Sequence, residues 1–237
     1  MAKTVVVIPT ISNLEGLWRL VTQLLYKDSR SLREILIYDN GMEEDKAHIM
    51  WGWENFSELI TIRPATGASI YEMWNRGLDH AQRMEVYFKE ELNVFFLNDD
   101  VQIYPGTVKI LDGVLHSRPD YGAVCPDYGL TLDNPQQIEP VEVTSTFGAG
   151  GLAGFAFMRR AKLLDVPEFD ENFGWWYGDD DFVKNLEKAH YKAVKVKGLP
   201  VEHVGGASSA NTPNMQSKIA ADNNYFNRKW GENRGTS

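Results

Sequence analysis

The sequence has little of what defines several large classes of protein. It contains a single cysteine, Cys125, so it can form neither an internal disulfide nor a metal site built from several thiolates. No apolar run approaches the roughly 18 residues of a membrane-spanning helix. The N-terminal stretch MAKTVVVIPTISN has one lysine and no small-residue cleavage site, and it predicts a first strand rather than a signal peptide. We therefore expect a cytoplasmic protein with no transmembrane segment.

Basic residues are outnumbered by acidic ones. The chain has 24 Lys and Arg against 33 Asp and Glu, and its formal net charge is −9. Because this charge repels phosphates, it argues against duplex nucleic acid as a partner. A nucleotide ligand is still compatible with the charge, because a metal ion or a local basic pocket can hold a diphosphate on an acidic protein. The absence of an obvious basic amphipathic helix argues against tight membrane attachment.

The first half of the sequence alternates between two patterns. Short β-rich runs such as TVVVIPT and REILIYDNG are followed by segments such as LEGLWRLVTQLLY, in which apolar residues recur at helical spacing. Repeated β-α units of this length predict an α/β fold with a mostly parallel sheet and helices on both faces. In such sheets, ligands bind at the carboxyl ends of the strands.

Three polar residues follow the apolar run NVFFL, which we predict to be the fourth strand. They are Asn98, Asp99 and Asp100. Hard oxygen ligands at the carboxyl end of a strand suit Mg²⁺ or Mn²⁺. The same residue types are also typical of a plain turn. The pattern by itself leaves both interpretations open.

A second acidic run follows an aromatic cluster. Trp175, Trp176 and Tyr177 precede three aspartates at 179–181. A helix N-terminus favours aspartate, which accounts for one or two of the three. Indole faces stack on the apolar faces of sugar rings, and a neighbouring carboxylate can take a proton from a hydroxyl group. The alternative interpretation places both tryptophans in the core.

Two further features lie near these runs. His203 ends a strand-like segment, where a lone histidine is ordinarily structural, but beside Asp100 it would complete a mixed nitrogen and oxygen metal site. The stretch GAGGLAG, residues 148–154, only partly fits a dinucleotide-binding pattern, because it lies far from the first β-α turn. We interpret it as a flexible loop near an acceptor.

Taken together and in this order, these stretches resemble the family 2 glycosyltransferases of the GT-A fold, and among them the rhamnosyltransferase-like members. The resemblance covers nearly the whole chain, through VVVIPTISN, IYDNG, WNRGLDHA, FLNDDV, GFAFMRR, FDENFGWWYGDDDF, VEHVGGAS and YFNRKWG. It implies a single domain over residues 1–237 with a GT-A (Rossmann-like) mixed, mostly parallel sheet. The nucleotide-binding half would be 1–104, and the acceptor-binding half, with a C-terminal helix, would be 105–237.

The resemblance also implies an activity, that of an inverting glycosyltransferase of the hexosyltransferase type. A sugar would move from a nucleotide-diphosphate donor of the UDP, GDP or dTDP type to a hydroxyl of a saccharide or another acceptor, assisted by Mn²⁺ or Mg²⁺. The implied nucleotide and donor contacts are Pro9, Thr10, Asp39, Asn75, Arg76, Asn98 and Asp99. The implied metal ligands are Asp100 and His203, and the general base is Asp179 or Asp180. The expected acceptor and sugar contacts are Gly150, Gly151, Trp175, Trp176 and Tyr177.

The sequence departs from the family pattern at two positions. Asn98 replaces the first aspartate of the DxD motif, which leaves one charge fewer on the metal. Gly178 and Asp179 stand where the family usually has Glu-Asp, so the register of the base is open by one residue.

Two other functions compete with this interpretation. A sugar-phosphate nucleotidyltransferase also places carboxylates and a metal at a strand end, but it usually has a basic, glycine-rich loop after its first strand. The stretch PTISNLEG has no Lys or Arg. A non-catalytic nucleotide-sugar-binding module is the other alternative, and the retained aspartate run argues against it. The sequence leaves open the donor nucleotide, the sugar, the acceptor and the oligomeric state.

Overall fold

The computed structural model describes residues 2–133, 136–143, 151–204 and 214–231. Over its first half the chain alternates strands and helices as predicted. These elements are β1 (Lys3–Thr10), α1 (Leu14–Gln23), β2 (Leu32–Asp39), α2 (Glu44–Trp51), β3 (Ile60–Pro64), α3 (Ile70–Phe88) and β4 (Leu92–Leu97). Short helical turns occupy Leu24–Asp28, Ser29–Ser31 and Gly52–Asn55.

The second half is less regular. Its elements are β5 (Val101–Ile103), α4 (Thr107–Leu115), β6 (Tyr121–Tyr128), β7 (Glu139–Glu142), β8 (Ala156–Arg160), α5 (Gly178–Lys188), β9 (Lys192–His203) and α6 (Met215–Trp230). Strand β4 ends with the predicted apolar run, and Asn98–Asp100 form a turn between β4 and β5. Among the described residues, no helix is both long enough and apolar enough to cross a bilayer.

One sheet joins strands from both halves of the chain. Its order is β3-β2-β1-β4-β8-β6-β9-β5, and β7 pairs with β9 outside this path. The four strands from β3 to β4 are parallel, whereas β8 runs antiparallel to both of its neighbours. The predicted mixed sheet is therefore confirmed. Because β1 lies between β2 and β4, the strand order reverses at β1, and a crevice opens at the carboxyl ends of β1 and β4.

Helices cover both faces of the sheet, as predicted. Side chains alternate along β1, so that Val6 and Ile8 face one core cluster while Val5 and Val7 face the other. The helices α1, α2 and α4 pack on the first face, and α3, α5 and α6 pack on the second. Representative buried residues of these six helices are Leu17, Met50, Leu111, Trp74, Phe182 and Phe226.

A buried charge network holds α6 to the rest of the fold. Lys229 Nζ lies 2.7 Å from Asp170 Oδ2 and 2.7 Å from Asp181 Oδ1. Trp230 Nε1 also donates to Asp181 Oδ1 at 2.9 Å, and the Tyr225 hydroxyl donates to Asp170 Oδ2 at 2.9 Å. The side chain of Asp181 is only 1% exposed. Since a buried carboxylate is costly without a cation, Lys229 is central to the docking of this helix.

The network predicts the effect of removing the cation. We expect Lys229→Met to lower the free energy of unfolding by about 3 kcal/mol, because Asp181 is left buried without a cation. Urea denaturation measures this change. The matched control is Lys109→Met on the exposed side of α4, which should change stability by about 0.5 kcal/mol or less. If both substitutions changed the free energy of unfolding equally, the network would contribute nothing to stability.

The same network predicts an acid dependence. Burial alone would raise the pKa of Asp170, but hydrogen bonds led by that from Lys229 outweigh it and lower the pKa to about 2, from an ordinary value of 3.8. A depressed folded-state pKa stabilises the protein above the unfolded pKa. That contribution is therefore lost as the pH falls from about 4 to about 2. In Lys229→Met, the free energy of unfolding should fall less steeply over this window.

Candidate functional site

The carboxyl ends of β1 and β4 are tied together through Asp99. The Thr10 hydroxyl donates to Asp99 Oδ2 at 2.6 Å, and Asn13 Nδ2 donates to the Asp99 carbonyl at 3.1 Å. Asn13 also caps α1 by accepting from Gly16 N at 3.1 Å. Burial and the neighbouring charge of Asp100 raise the pKa of Asp99 to about 6, although the Thr10 hydrogen bond opposes the shift. Asp99 thus connects two strand ends at the crevice.

Asp100 and His203 meet beside this connection. His203 Nε2 lies 3.0 Å from Asp100 Oδ1. The pairing of β5 with β9 sets the distance, because Val101 is opposite His203 and Val204 N donates to the Asp100 carbonyl at 2.9 Å. The ring of Phe155 stacks on the imidazole, with centroids 4.4 Å apart and planes 10° from parallel. Backbone pairing and ring stacking therefore both orient the two side chains.

The geometry of this pair fits a shared cation. Asp100 Oδ1 is buried and accepts no hydrogen bond, although His203 Nε2 is close. Two ligands about 2.1 Å from one Mg²⁺ and at right angles to each other are about 3 Å apart. A cavity of about 220 Å³ borders Asp100. No group of three or more His, Cys, Asp or Glu that could hold a metal occurs in the described part of the chain. The donor set therefore suits an ion that completes its shell with water or phosphate.

The predicted nucleotide contacts on β1 and β2 lie side by side. Thr10 is opposite Asp39 in the parallel register, one residue after Pro9. Asp39 Oδ1 accepts from the backbone N–H groups of Gly41 and Met42, at 3.1 and 2.9 Å. Its Oδ2 accepts from the indole of Trp51 at 3.2 Å. Asp39 thus shapes the turn after β2 as well as lying at the crevice.

Asn75 and Arg76 lie on α3 and make contacts that the sequence did not indicate. Asn75 Nδ2 donates to the Phe169 carbonyl at 2.8 Å and to Glu171 Oε1 at 2.8 Å, while its Oδ1 accepts from Phe169 N at 2.8 Å. Arg76 pairs with Glu72 one turn earlier on the helix surface. The Asn75 amide therefore has a structural role. It binds the segment from Phe169 to Glu171, which leads toward the aromatic cluster.

The aromatic cluster lies at the surface. Trp175 is 42% exposed and Trp176 is partly exposed, with ring centroids 6.2 Å apart. The alternative that placed both tryptophans in the core is therefore wrong. Tyr177 has a φ of +69° and packs on Phe226 at 5.6 Å. It precedes Gly178, whose N–H donates to the hydroxyl of Tyr71 at 3.0 Å and starts α5.

The three aspartates of α5 have different surroundings. Asp181 belongs to the network with Lys229, and Asp180 is 8% exposed. Asp179 keeps some solvent contact, and its carboxylate lies against Gly154, where an added Cβ would be 2.2 Å from Oδ2. Burial raises the pKa of Asp179, although the backbone N–H groups of Asp179 and Asp180 lower it in part. Asp179 is thus a half-buried carboxylate whose proton affinity is increased.

Two consecutive residues connect Asp179 with the Asp100 and His203 pair. Gly154 touches the Asp179 carboxylate, and the next residue, Phe155, stacks on His203. The Phe155 carbonyl also accepts from Asn98 N at 2.9 Å. Because these contacts are made by adjacent residues, the two acidic runs predicted from the sequence meet at one crevice.

Comparison with solved structures identifies the fold of the chain. The mannosyltransferase PcManGT from Pyrobaculum calidifontis, in complex with GDP-Man and Mn²⁺, matches with a TM-score of 0.68 over 99% of this chain and 66% of its own, at 14% identity. GalNAc-T7 with UDP, GalNAc and Mn²⁺ matches with a TM-score of 0.67 over 95% of this chain and 49% of its own, at 13% identity. The chain has the GT-A fold.

A third GT-A structure is glucosyl-3-phosphoglycerate synthase from Mycobacterium tuberculosis, in complex with Mn²⁺, UDP and phosphoglyceric acid. It matches with a TM-score of 0.65 over 99% of this chain and 80% of its own, at 12% identity. The chain spans about half the length of GalNAc-T7 and 44% of the length of S. aureus TarS. No protein-family model matches the sequence, and no curated protein sequence does. The GT-A fold is therefore established by structure alone.

Within the GT-A fold, two residues of this site were not predicted from the sequence. Phe155 lies in an apolar stretch that only indicated a strand, and Asp222 lies in a polar helix where nothing local distinguishes it. Asp222 accepts backbone hydrogen bonds from Trp175 and Trp176, at 2.8 and 2.9 Å. Their roles depend on contacts between segments that are distant in the chain. Of the predicted glycines, Gly151 is buried and Gly150 lies outside the described residues.

The contact between Gly154 and Asp179 predicts the effect of adding one methyl group. We expect Gly154→Ala to lower the free energy of unfolding by about 1–3 kcal/mol, because the Asp179 carboxylate must move. The matched control is Gly113→Ala in α4, where no atom lies within 4 Å of an added Cβ. That substitution should stabilise the protein by about 0.5–1 kcal/mol. Chemical denaturation compares the two, and an unchanged stability in Gly154→Ala would contradict the close contact.

Proposed function

We propose that this chain is a metal-assisted inverting glycosyltransferase, which moves a sugar from a nucleotide-diphosphate-sugar donor to an acceptor hydroxyl. The observation that carries the proposal is the pair of Asp100 and His203 at the end of β4, with a buried carboxylate oxygen that accepts no hydrogen bond. The proposal is supported by solved structures of the same fold that contain Mn²⁺ together with UDP or GDP-Man.

The donor would bind across the carboxyl ends of β1, β2 and β4. Pro9, Thr10 and Asp39 line the ends of β1 and β2 and would contact the nucleotide. Asn98 is partly exposed beside Asp99 and would face the ribose or the sugar. Asp100 and His203 would hold Mn²⁺ or Mg²⁺. When bound, the ion supplies Lewis-acid stabilisation of the negative charge that develops on the departing diphosphate.

The acceptor hydroxyl must lose its proton as its oxygen attacks the anomeric carbon. Asp179 is better placed than Asp180 for this role, because its carboxylate lies against Gly154, next to the residue that stacks on His203. A raised pKa also favours Asp179, since a general base works best when its pKa lies near the working pH. Attack from the face opposite the diphosphate would invert the anomeric configuration.

The acceptor would lie over the exposed aromatic surface. Trp175 and Trp176 offer ring faces on which a sugar can stack, and Tyr177 continues this surface toward α5. Gly151 lies three residues before Gly154, the residue that contacts Asp179, and would lie beside the acceptor. A saccharide is therefore the acceptor that this surface suits best.

A thermal-shift screen tests the donor class. UDP-, GDP- and dTDP-sugars are compared with and without Mn²⁺, and a ligand at about 100 times its Kd should raise Tm by about 5–10 °C. We expect Asp100→Asn to lose the Mn²⁺-dependent part of this shift, because one of the two protein ligands is neutralised. The matched control is Asp79→Asn on the surface of α3. This variant should keep the Mn²⁺-dependent part of the thermal shift.

Two outcomes would contradict the donor proposal. One is an unchanged Mn²⁺ dependence in Asp100→Asn, and the other is full turnover in EDTA. Release of pyrophosphate from a nucleoside triphosphate and a sugar phosphate would instead identify a nucleotidyltransferase.

Substitution of the two candidate bases tests the mechanism. Asp179→Asn should lower turnover by about 10²–10⁴-fold while the donor still binds, because only proton removal is lost. Asp180→Asn should have a smaller effect. Since the base acts when deprotonated, wild-type kcat should fall as the pH falls through its raised pKa. Nucleoside diphosphate release measures the rate, and wild-type turnover in both variants would make the assignment wrong.

A further inference from the structure

The turn that presents the two tryptophans is bound by a carboxylate from the C-terminal helix. Asp222 Oδ1 accepts from Gly174 N at 3.0 Å, and its Oδ2 accepts from Trp175 N at 2.8 Å and from Trp176 N at 2.9 Å. The residue is 6% exposed, so these bonds are shielded from water. Hydrogen bonds to an ionised acceptor are stronger than those between neutral groups. Asp222 therefore holds the backbone of three consecutive residues.

The same face of α6 makes contacts on either side of Asp222. Lys218 Nζ lies 4.9 Å from the centroid of the Trp175 ring, and Phe226 packs on Tyr177 at 5.6 Å. Positions 218, 222 and 226 are spaced by four and so lie on one side of the helix. One helix face thus contacts the segment from Gly174 to Tyr177 at three successive levels, with Asp222 in the middle.

The exposure of Trp175 means that packing alone does not fix its ring. With 42% of its surface exposed, the ring contacts Lys218 and the neighbouring Trp176, and its orientation also depends on its backbone. The segment also leads directly through Tyr177 into α5, where Asp179 is the second residue. A change at Asp222 would therefore be transmitted both to the aromatic surface and to the start of α5.

We propose that Asp222 is a positioning residue for acceptor binding: by holding the backbone of residues 174–176 it presents Trp175 and Trp176 to a saccharide acceptor. This inference rests on the function proposed above. Asp222 itself touches neither donor nor acceptor. It acts through the turn, so its removal should weaken acceptor binding while leaving the metal pair of Asp100 and His203 intact.

The test compares wild type with Asp222→Asn in the full chain. Asparagine has one acceptor oxygen, and its NH₂ group would face backbone donors, so the three bonds cannot all be kept. With the donor found in the thermal screen and methyl glycosides as acceptor probes, we expect the acceptor KM to rise at least about tenfold. The donor KM should change less than about twofold. A merely structural residue would instead affect both KM values together or neither.

A second readout does not require turnover. Protein labelled with 5-fluorotryptophan gives one ¹⁹F resonance per tryptophan, and Trp175→Phe and Trp176→Phe assign two of them. The resonances of Trp175 and Trp176 should shift or broaden in Asp222→Asn. Unchanged resonances would overturn the inference, whatever the activity of the protein.

The matched control is Tyr225→Phe on the same helix. It removes the hydroxyl that donates to Asp170 at 2.9 Å, but keeps the ring that packs on Phe173 at 4.8 Å. This substitution should change neither the acceptor KM nor the two resonances. An equal rise in acceptor KM in Tyr225→Phe would assign the effect to helix docking in general and would overturn the role of Asp222.

Two further outcomes separate the possible failures. If Asp222→Asn does not fold, Trp175→Ala removes an exposed ring instead, and an unchanged acceptor KM in that variant would overturn the inference. If the wild type binds no nucleotide-sugar in the screen, the proposed function fails, and the positioning role for an acceptor fails with it. If Asp222→Asn loses acceptor binding but retains donor binding, the result supports both the proposed function and the positioning role.

Discussion

The site depends on one backbone pairing, that of β5 with β9. This register brings Asp100 Oδ1 within 3.0 Å of His203 Nε2, although the two residues are 103 positions apart in the chain. The carboxylate oxygen is buried and accepts no hydrogen bond, which is costly unless a cation binds it. The rest of the crevice is arranged around this pair, because Phe155 stacks on His203 and Gly154 leaves room for Asp179.

Two aspartates in the second half of the chain contribute through helix packing. Asp181 pairs with Lys229 and accepts a hydrogen bond from Trp230, and Asp222 accepts hydrogen bonds from the turn before α5. Both interactions connect α6 to the segment that carries Asp179. The C-terminal helix is therefore part of the machinery that we propose for the acceptor, and its polar sequence reflects buried contacts as well as solvent exposure.

Much of the fold could be predicted from the sequence, because its signals are local. The alternation of apolar runs such as TVVVIPT with helical spacing in LEGLWRLVTQLLY predicts β1 and α1, and both are present. A turn at Asn98–Asp100 was one of the two interpretations of those residues, but the strand β5 that follows it was not predicted, because three residues show too little periodicity. Asn75 was assigned to the nucleotide by resemblance. Its contacts with Phe169 and Glu171 could not be foreseen, since they join segments more than 90 residues apart.

The sequence by itself determined the order of strands and helices, the acidic strand end at Asp99 and Asp100, and the aromatic and acidic run from Trp175 to Asp181. These are properties of short segments, set by periodicity and residue type. Only the tertiary structure decided that Asp181 pairs with Lys229, that Asp179 faces Gly154, and that Asp222 holds the tryptophan turn. Such choices depend on which side chains are buried together, and burial is a property of the packed chain rather than of any one segment.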